Sequence, residues 1–141
     1  LASYNVVEDN LEFLKKMVTN YVDIVFANEE EAKAFTGKEP RDALNEIAKI
    51  TDIAVVKTGG KGSIIKQGNT VVNVDVLEIE PVDTTGAGDL YAAGFLYGIT
   101  NDYDLKKAGE IGSLLASKVI QNIGAKISDE NWIKIREEVM L

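Results

Sequence analysis

The order of apolar and polar residues along the chain predicts alternating helices and strands. In EDNLEFLKKMVTNYV, apolar residues recur at three- and four-residue spacing, which is typical of an amphipathic helix. The residues on its apolar face are Leu11, Leu14, Val18 and Tyr21. The next segment, residues 22–27 (VDIVFA), is a short continuous apolar run, as expected for a parallel strand covered on both faces. A helix followed by a buried strand indicates an α/β fold.

Two more helices and a second buried strand continue this alternation. Residues 28–37 (NEEEAKAFTG) predict a helix that begins at Asn28, because carboxylates crowd the first turn where the helix dipole favours them. Gly37 is suited to end that helix. Residues 40–50 predict a third helix, and residues 53–56 predict a second buried strand.

The second half of the chain is predicted to contain a hairpin and then helices. Residues 63–67 and 70–74 flank Gly68-Asn69, which is a two-residue hairpin signal. Residues 76–80 (VLEIE) alternate as a half-exposed strand would. The remaining segments with a helical pattern are residues 86–98, 105–123 and 129–141.

The opening residues, LASYNVVEDN, are interpreted as the tail of a strand followed by a loop, and hence as the start of a piece of a longer protein. No repeat, low-complexity stretch or linker interrupts residues 1–141, so no internal domain boundary is predicted.

Composition excludes several classes of function. The net charge of -8 argues against a nonspecific nucleic-acid or anionic-membrane surface, because such surfaces need clustered Lys and Arg. Histidine and cysteine are absent, which removes disulfides, zinc sites built on these residues, and catalytic triads with an imidazole base. No apolar run approaches the roughly 18 residues of a membrane span. We therefore expect a cytoplasmic protein.

Residues 84–89 (TTGAGD) form a glycine-rich turn at the start of a predicted helix. Backbone N–H groups of Gly86, Ala87 and Gly88 can converge there on an oxyanion such as a phosphate, and the helix dipole adds a favourable potential. A tight strand-to-helix turn that needs glycine only for its backbone angles explains these glycines equally well.

Asp89 adds a chemical group to this turn. The helix that follows it is apolar nearly all round, so Asp89 is predicted to be buried beside the phosphate socket. A carboxylate there can orient an alcohol and take its proton while amides stabilise the transferred oxygens, which is the arrangement that phosphoryl transfer requires. The alternative role for an acid in a first turn is that of a dipole partner or cap.

Two other nucleotide-binding motifs do not fit the chain. A dinucleotide fingerprint requires a third glycine where Tyr91 stands. A Walker A loop requires Gly-Lys followed by Ser or Thr, whereas residues 60–62 read Gly-Lys-Gly.

Residues 83–95, DTTGAGDLYAAGF, resemble the second signature of the ribokinase family, also called the PfkB carbohydrate kinases, and are most similar to its adenosine kinase-like branch. The resemblance covers essentially the whole chain but only the C-terminal portion of a family member. It implies a ribokinase-like, Rossmann-like three-layer α/β/α sandwich with a β-hairpin near the sheet edge. It also implies that Asp89 is the catalytic base and that Gly86, Ala87 and Gly88 form the anion hole for the γ-phosphate.

Asn28 and Glu31 resemble the N-x-x-E motif of the same family. The resemblance implies that the two residues position Mg²⁺ and phosphate, largely through water molecules. The alternative is an N-capped acidic helix, because an Asn cap followed by carboxylates in the first turn is common.

Residues 57–62 (KTGGKG) resemble the family loop that borders the nucleotide. The implied ATP-binding residues are Lys57, Thr58, Gly59, Gly62 and, in a later segment, Asn122. The alternative is a glycine-rich turn into the hairpin. Many relatives also bind a monovalent cation, for which Asp83 and Thr85 are the candidate K⁺ ligands here.

Together these motifs imply the C-terminal nucleotide-binding and catalytic part of an ATP-dependent, Mg²⁺-requiring kinase that phosphorylates an alcohol group of a sugar or nucleoside. The N-terminal part with the acceptor site and lid is absent, so residues 1–141 alone are expected to be inactive. A homodimer is the candidate assembly of the full-length form. The rival hypothesis is a noncatalytic nucleotide-binding or interaction module with the same fold.

Overall fold

The computed structural model describes Leu1 and residues 3–140, except for the side chain of Met140. The chain folds as two compact units, Leu1–Asn73 and Val74–Leu141, a division that the sequence pattern does not signal. Among the described residues, no helix combines the length and the apolar character needed to cross a membrane.

The first unit alternates helices and strands. Its elements are α1 (Tyr4–Asp9), α2 (Leu11–Tyr21), β1 (Ile24–Asn28), α3 (Glu29–Thr36), α4 (Pro40–Ile47), β2 (Ile53–Lys57), β3 (Ser63–Gln67) and β4 (Thr70–Val74), the last of which ends at the unit boundary. The predicted helix and strand pattern over residues 11–74 is confirmed, including Gly37 as the left-handed residue that ends α3.

The strands form one mixed sheet in the order β1-β2-β3-β4. β1 and β2 are parallel, with Asn28 opposite Lys57 at their carboxyl ends. β2 and β3 are antiparallel, and the predicted hairpin follows, with Gly68 at φ 55° in the turn between β3 and β4. The parallel pair is joined through α3 and α4, which is the crossover that parallel strands require.

An apolar core cluster holds helices of the first unit against the sheet. Its largest buried side chains are Phe35, Leu44 and Ile47 from the helices and Val25 and Val56 from the strands. Each such side chain contributes about 1.5–3 kcal/mol when fully buried. This core fixes β1 and β2 in place, and therefore also the residues at their carboxyl ends.

Two expectations for the first unit are wrong. Residues 4–9 form α1 rather than the tail of a strand, with Val7 fully buried in the core and its N–H donating to the Ser3 carbonyl. Tyr21 is 73% exposed, although its spacing places it with Leu11, Leu14 and Val18. Tyr21 is the last residue of α2, and its ring tolerates water because it carries a polar tip.

The second unit is helical, with α5 (Ala87–Thr100), α6 (Leu105–Val119) and α7 (Asp129–Met140). The three predicted helices are confirmed, although the second ends at residue 119 instead of 123, and Leu141 lies outside the described residues. Residues 76–80, predicted as a strand, pair with no strand in the described part of the chain, and the alternating pattern alone cannot supply a ladder partner.

Helices α5 and α6 approach each other closely because glycines line their contact. A Cβ atom on Gly94 would lie 2.8 Å from the Ile111 carbonyl oxygen, and one on Gly98 would lie 2.6 Å from Ala108 Cα. The expectation that α5 is buried all round is wrong, since Leu96 and Tyr97 are 41% and 45% exposed. The small residues raise the mean hydropathy of the helix without requiring every face to be covered.

Residues of α6, α7 and the loop between them form a core cluster in the second unit. Its buried members are Ile111, Leu115, Val119, Ile127, Ile135 and Val139, with Trp132 packed at its edge. The chain between α6 and α7, residues 120–128, forms neither a helix nor a strand. This loop returns to the segment before α5, where the Gly124 N–H donates to the Asp83 carboxylate.

Candidate functional site

Asn28 and Lys57 end the two parallel strands of the first unit side by side. In α/β sheets, ligands bind outside the carboxyl ends of parallel strands. The structure thus brings two of the predicted site residues to the edge where a ligand is expected, and it does so through the register of β1 and β2.

Asn28 and Glu31 form a complete capping box at the start of α3. The Asn28 side-chain oxygen accepts from the Glu31 N–H at 2.8 Å, and Glu31 Oε2 accepts from the Asn28 N–H at 3.0 Å. Glu31 Oε1 also accepts from the Asn28 side-chain amide at 3.1 Å. The interpretation as an N-capped acidic helix is confirmed, because both reciprocal bonds of the box are present.

These bonds limit how the two residues can meet a metal ion. Each Glu31 oxygen already accepts one hydrogen bond and keeps a second acceptor direction. Mg²⁺ prefers oxygen ligands and usually keeps several of its waters, so contact through water fits this geometry and leaves the cap intact. Among the described residues, no group of three or more Asp and Glu side chains is placed to hold a metal directly. The Mg²⁺ role stays a prediction.

The segment after β2 closes into a tight turn. The Thr58 N–H and hydroxyl both donate to the Gly62 carbonyl, at 2.8 and 3.0 Å, around a 3₁₀ turn over Gly59–Lys61. Gly62 has φ 87°, a conformation that glycine adopts without steric cost. Gly59 is exposed, so its backbone is open to a ligand. The nucleotide contacts of Lys57, Thr58, Gly59 and Gly62 remain predictions.

A cleft of about 640 Å³ lies at the opposite end of this sheet. Asp23, Thr51 and Asp52 line it, just ahead of β1 and β2, so it opens at the amino ends of the strands. None of the predicted site residues lines it. We therefore place the candidate site at the carboxyl ends, where strand geometry and motifs agree.

In the second unit, the glycine-rich turn leads directly into α5. We call residues 84–88 the phosphate turn. Gly86, at φ 80°, is the residue before the helix, and Leu90 donates its N–H to the Gly86 carbonyl at 2.9 Å. The Ala87 N–H donates to the Thr84 carbonyl at 3.2 Å, so one of the three predicted anion-hole donors is shared with the turn itself. Anion binding by Gly86, Ala87 and Gly88 remains a prediction.

The Asp83 carboxylate accepts three hydrogen bonds. Its Oδ1 atom accepts from the Thr85 N–H at 2.9 Å and from the Thr85 hydroxyl at 2.7 Å. Its Oδ2 atom accepts from the Gly124 N–H at 2.8 Å. These bonds, the Gly124 one foremost, favour the ionised form and hold the pKa of Asp83 below its usual value.

The loop that supplies Gly124 fits closely against the phosphate turn. We call residues 122–125 the partner loop. A Cβ atom on Gly86 would lie 2.6 Å from Ala125 Cβ, so the two segments touch where Gly86 has no side chain. Asn122 donates its side-chain amide to the Lys118 carbonyl at 3.0 Å, which ties the loop to the end of α6. The ATP contact predicted for Asn122 is untested.

The Gly124 contact with Asp83 is the feature that sequence reasoning missed. The two residues are 41 positions apart, and no local pattern signals their pairing. The resemblance assigns Asn122 as an ATP contact and Asp83 as a K⁺ ligand, so neither expectation predicts a direct bond between these two segments.

The predicted K⁺ ligands, Asp83 and Thr85, are neighbours that bond to each other. A carboxylate has about four acceptor directions, of which Asp83 uses three, so one oxygen can still face a cation. The residues therefore fit a peripheral K⁺ contact, and the role stays a prediction.

Asp89 lies in the first turn of α5, directly after the phosphate turn, and its side chain is exposed. The expectation that Asp89 is buried is therefore wrong. The buried face of α5 runs through Tyr91, Gly94, Phe95 and Gly98, and Asp89 does not belong to it. Exposure removes the desolvation cost that a buried unpaired carboxylate would carry, and it leaves the acid open to a substrate.

The chain is similar to known sugar and nucleoside kinases. A family model described as "pfkB family carbohydrate kinase" matches residues 4–132. An uncharacterized sugar kinase of Archaeoglobus fulgidus is 34% identical over 120 residues, covering 84% of this chain and 48% of that protein. A nucleoside kinase of Methanocaldococcus jannaschii is 30% identical over 146 residues, covering 99% of this chain and 47% of that protein.

Solved structures give the same result. A probable sugar kinase from Rhizobium etli matches with a TM-score of 0.92 at 35% identity, covering 100% of this chain and 44% of that one. Adenosine kinase from Sinorhizobium meliloti matches with a TM-score of 0.91 at 35% identity, covering 98% of this chain and 43% of that one. The α/β fold with a mixed sheet is thus ribokinase-like, and the chain spans less than half the length of these relatives.

Proposed function

Because the chain belongs to the pfkB family of carbohydrate kinases, we propose that it is the ATP-binding and catalytic part of a kinase that phosphorylates an alcohol group of a sugar or nucleoside. One observation supports this most directly. An exposed carboxylate, Asp89, stands in the first turn of a helix immediately after the glycine-containing turn that is predicted to bind an anion. A base beside a phosphate socket is what phosphoryl transfer to a hydroxyl requires.

Asp89 acts in this proposal as the general base. It accepts a hydrogen bond from the substrate hydroxyl and takes its proton as the oxygen attacks the γ-phosphorus of ATP. The new oxygen–phosphorus bond forms while the bond to the β-phosphate oxygen breaks, and ADP leaves with the electron pair. The amides of the phosphate turn stabilise the charge on the transferred oxygens, since they are fixed before the reaction begins.

The strand ends of the first unit serve the nucleotide. Asn28 and Glu31 would hold Mg²⁺ through its waters, and the ion would neutralise charge on the phosphates. The turn after β2, with Lys57, Thr58, Gly59 and Gly62, would border ATP, because its exposed glycine backbone allows close approach. Asn122, in the partner loop, is proposed separately as an ATP contact.

The acceptor is proposed to be a sugar or a nucleoside, with a nucleoside favoured. The M. jannaschii relative is named a nucleoside kinase and the S. meliloti structure an adenosine kinase, and each matches nearly the whole chain. Because the chain spans less than half of those proteins, we expect acceptor contacts and a lid to come from outside residues 1–141. Residues 1–141 alone should then show negligible turnover, since acceptor positioning and water exclusion would be missing.

The alternative is a noncatalytic nucleotide-binding or interaction module with the same fold. Asp89 and Glu31 are both present at the positions of the family motifs, which disfavours this alternative, although the capping box by itself also accounts for Glu31.

Asp89→Asn in the kinase that contains this chain tests the proposal. The substitution keeps the shape of the side chain and removes its basicity, so kcat should fall by about 10²–10⁴. ATP affinity should stay equal or rise slightly, because the amides are main chain and a nearby negative charge is lost. The matched control is Asp104→Asn, at the N-cap of α6, where Asn caps as well as Asp. Wild-type turnover in Asp89→Asn would rule out the base.

A further inference from the structure

The Asp83 carboxylate joins two segments that are distant in sequence. It accepts from Thr85 on the phosphate turn and from the Gly124 N–H on the partner loop, at 2.7–2.9 Å. Every one of the three donors bonds to the charged group, and such charge-assisted bonds are about twice as strong as neutral ones.

Other contacts bring the same two segments together. The Val82 and Asp83 N–H groups donate to the Ile120 carbonyl, at 2.8 and 3.2 Å, just ahead of the partner loop. Gly86 lies against Ala125 so closely that a Cβ atom would clash. Both Gly86 and Gly124 have positive φ, at 80° and 82°, so each segment adopts a special backbone conformation where the other approaches it.

We propose that Asp83 is a positioning residue, whose carboxylate clips the phosphate turn to the partner loop and so holds the turn amides in a phosphate-binding arrangement. This rests on the proposed function, in which those amides bind the transferred phosphate. Without the clip, the turn keeps Gly86, the start of α5 and the neighbouring backbone bonds to Ile120, but it loses the hydrogen bond that Gly124 donates from the partner loop. Amides that must reorganise around an anion bind it more weakly than preorganised ones.

Asp83→Asn breaks the clip while conserving its shape. An amide has one acceptor oxygen and one donor nitrogen. If the oxygen faces Thr85, the nitrogen meets the Gly124 N–H, and two donors oppose each other. If the oxygen faces Gly124, the nitrogen meets the Thr85 N–H instead. One side of the clip is lost in either orientation.

The first measurement is amide hydrogen exchange without ATP, in the kinase that contains this chain. We expect the Gly124 amide and the phosphate-turn amides to exchange at least about tenfold faster in Asp83→Asn, because a bond to a charged group is worth a factor of ten or more in an equilibrium constant. Asp104→Asn is the control, since it also removes a carboxylate from the second unit, but one that accepts locally from the Lys107 N–H at 2.8 Å. Unchanged exchange at Gly124 would overturn the clip, whatever the protein's activity.

The second measurement is ATP affinity and kcat. Loosening the anion hole should weaken ATP binding and lower kcat, whereas Asp89→Asn should lower kcat alone. If wild type binds ATP and Asp83→Asn binds it equally well despite faster exchange, the clip has no positioning role. If wild type binds no ATP, the proposed function fails, and exchange at Gly124 still decides whether the clip exists.

Thr85 supplies a milder variant if Asp83→Asn does not fold. Thr85→Val removes the hydroxyl bond to Asp83 and leaves both backbone bonds, so its effects should be smaller and in the same direction. Thr85→Ser restores the hydroxyl and should restore slow exchange and ATP affinity.

Repeating the exchange with choline in place of K⁺ separates hydrogen bonding from a cation bridge. A difference between variant and wild type that disappears without K⁺ would contradict the proposal.

Discussion

Glu31 in the first unit and Asp83 in the second are both carboxylates that accept backbone hydrogen bonds beside a helix start, but their partners differ in range. In the described part of the chain, the Glu31 carboxylate accepts hydrogen bonds only from Asn28, three residues earlier. Asp83 bonds to Thr85, two residues later, and also to Gly124, 41 residues later. The first acid completes a local cap, while the second joins two loops. A local cap can be lost without disturbing other segments, whereas the loss of a long-range bond changes both segments that it connects.

Glycine substitutions should give the largest contrast between local and long-range fit. Gly37 and Gly86 both have positive φ, at 73° and 80°, but a Cβ atom on Gly37 meets nothing within 4 Å. Gly37→Ala should lower the free energy of unfolding by roughly 1–2 kcal/mol, the cost of the left-handed conformation for an L-residue. Gly86→Ala should cost roughly 1–3 kcal/mol more, because its Cβ overlaps Ala125.

Urea unfolding of the two variants measures this difference. Equal destabilisation by both substitutions would show that Ala125 moves aside easily, and that the phosphate turn and the partner loop are not tightly fitted.

Glu31→Gln asks whether the local acid also serves a metal. In the kinase that contains this chain, the Mg²⁺ concentration for half-maximal rate should rise about 10–100-fold. Losses of this size are usual when a residue that orients the ligands of a metal is replaced. The capping box should persist, because Gln also serves at this position. A Mg²⁺ titration superimposable on that of wild type would reduce Glu31 to a helix cap. Glu30→Gln, on an exposed neighbour in the same first turn, is the matched control.

Asn28→Ala measures the cap by itself. Removing the acceptor for the Glu31 N–H should lower the free energy of unfolding by about 0.5–2 kcal/mol. Asn28→Ser retains an acceptor oxygen and should stay close to wild type in a thermal or urea denaturation. The hydrogen exchange of the partner loop should not change in either variant, since the cap makes only local bonds. Exchange that spreads to residues 122–125 would contradict the distinction between the two acids.

The smallest effect is expected at an acid that acts only on the surface. Lys38 and Lys49 donate to Glu46 at 2.6 and 2.9 Å and lower its pKa to about 2. Because the folded pKa lies below the ordinary value of 4.5, the stabilisation is fully present above pH 4.5 and is lost as the pH falls toward 2. The Tm difference between wild type and Glu46→Gln should therefore shrink as the pH falls over that range. The same difference should also shrink in 1 M salt at pH 6, because salt screens exposed charges. A Tm difference that is independent of both pH and salt would show that Glu46 stabilises the fold by packing and not by its charge.

Much of the fold could be predicted because it depends on local patterns. The apolar face of α2 through Leu11, Leu14 and Val18, the buried run of β2 and the Gly68-Asn69 hairpin are each set by residues within a few positions of one another. Two of the failures occurred where a distant partner decides. An alternating pattern over residues 76–80 suits a strand, yet no strand pairs with it in the described part of the chain. The apolar composition of α5 suits burial, yet Leu96 and Tyr97 of the same helix are exposed.

The candidate site divides in the same way. The sequence by itself determined the capping box of Asn28 and Glu31, the glycine conformation of the phosphate turn, and the position of Asp89 at the start of a helix, because backbone angles and neighbours at three-residue spacing set all of them. Tertiary structure decided that Asn28 lies beside Lys57, that Asp89 is exposed, and that Asp83 bonds to Gly124. The packing of whole strands and helices fixes these three features, so none of them is set within one short segment of the sequence.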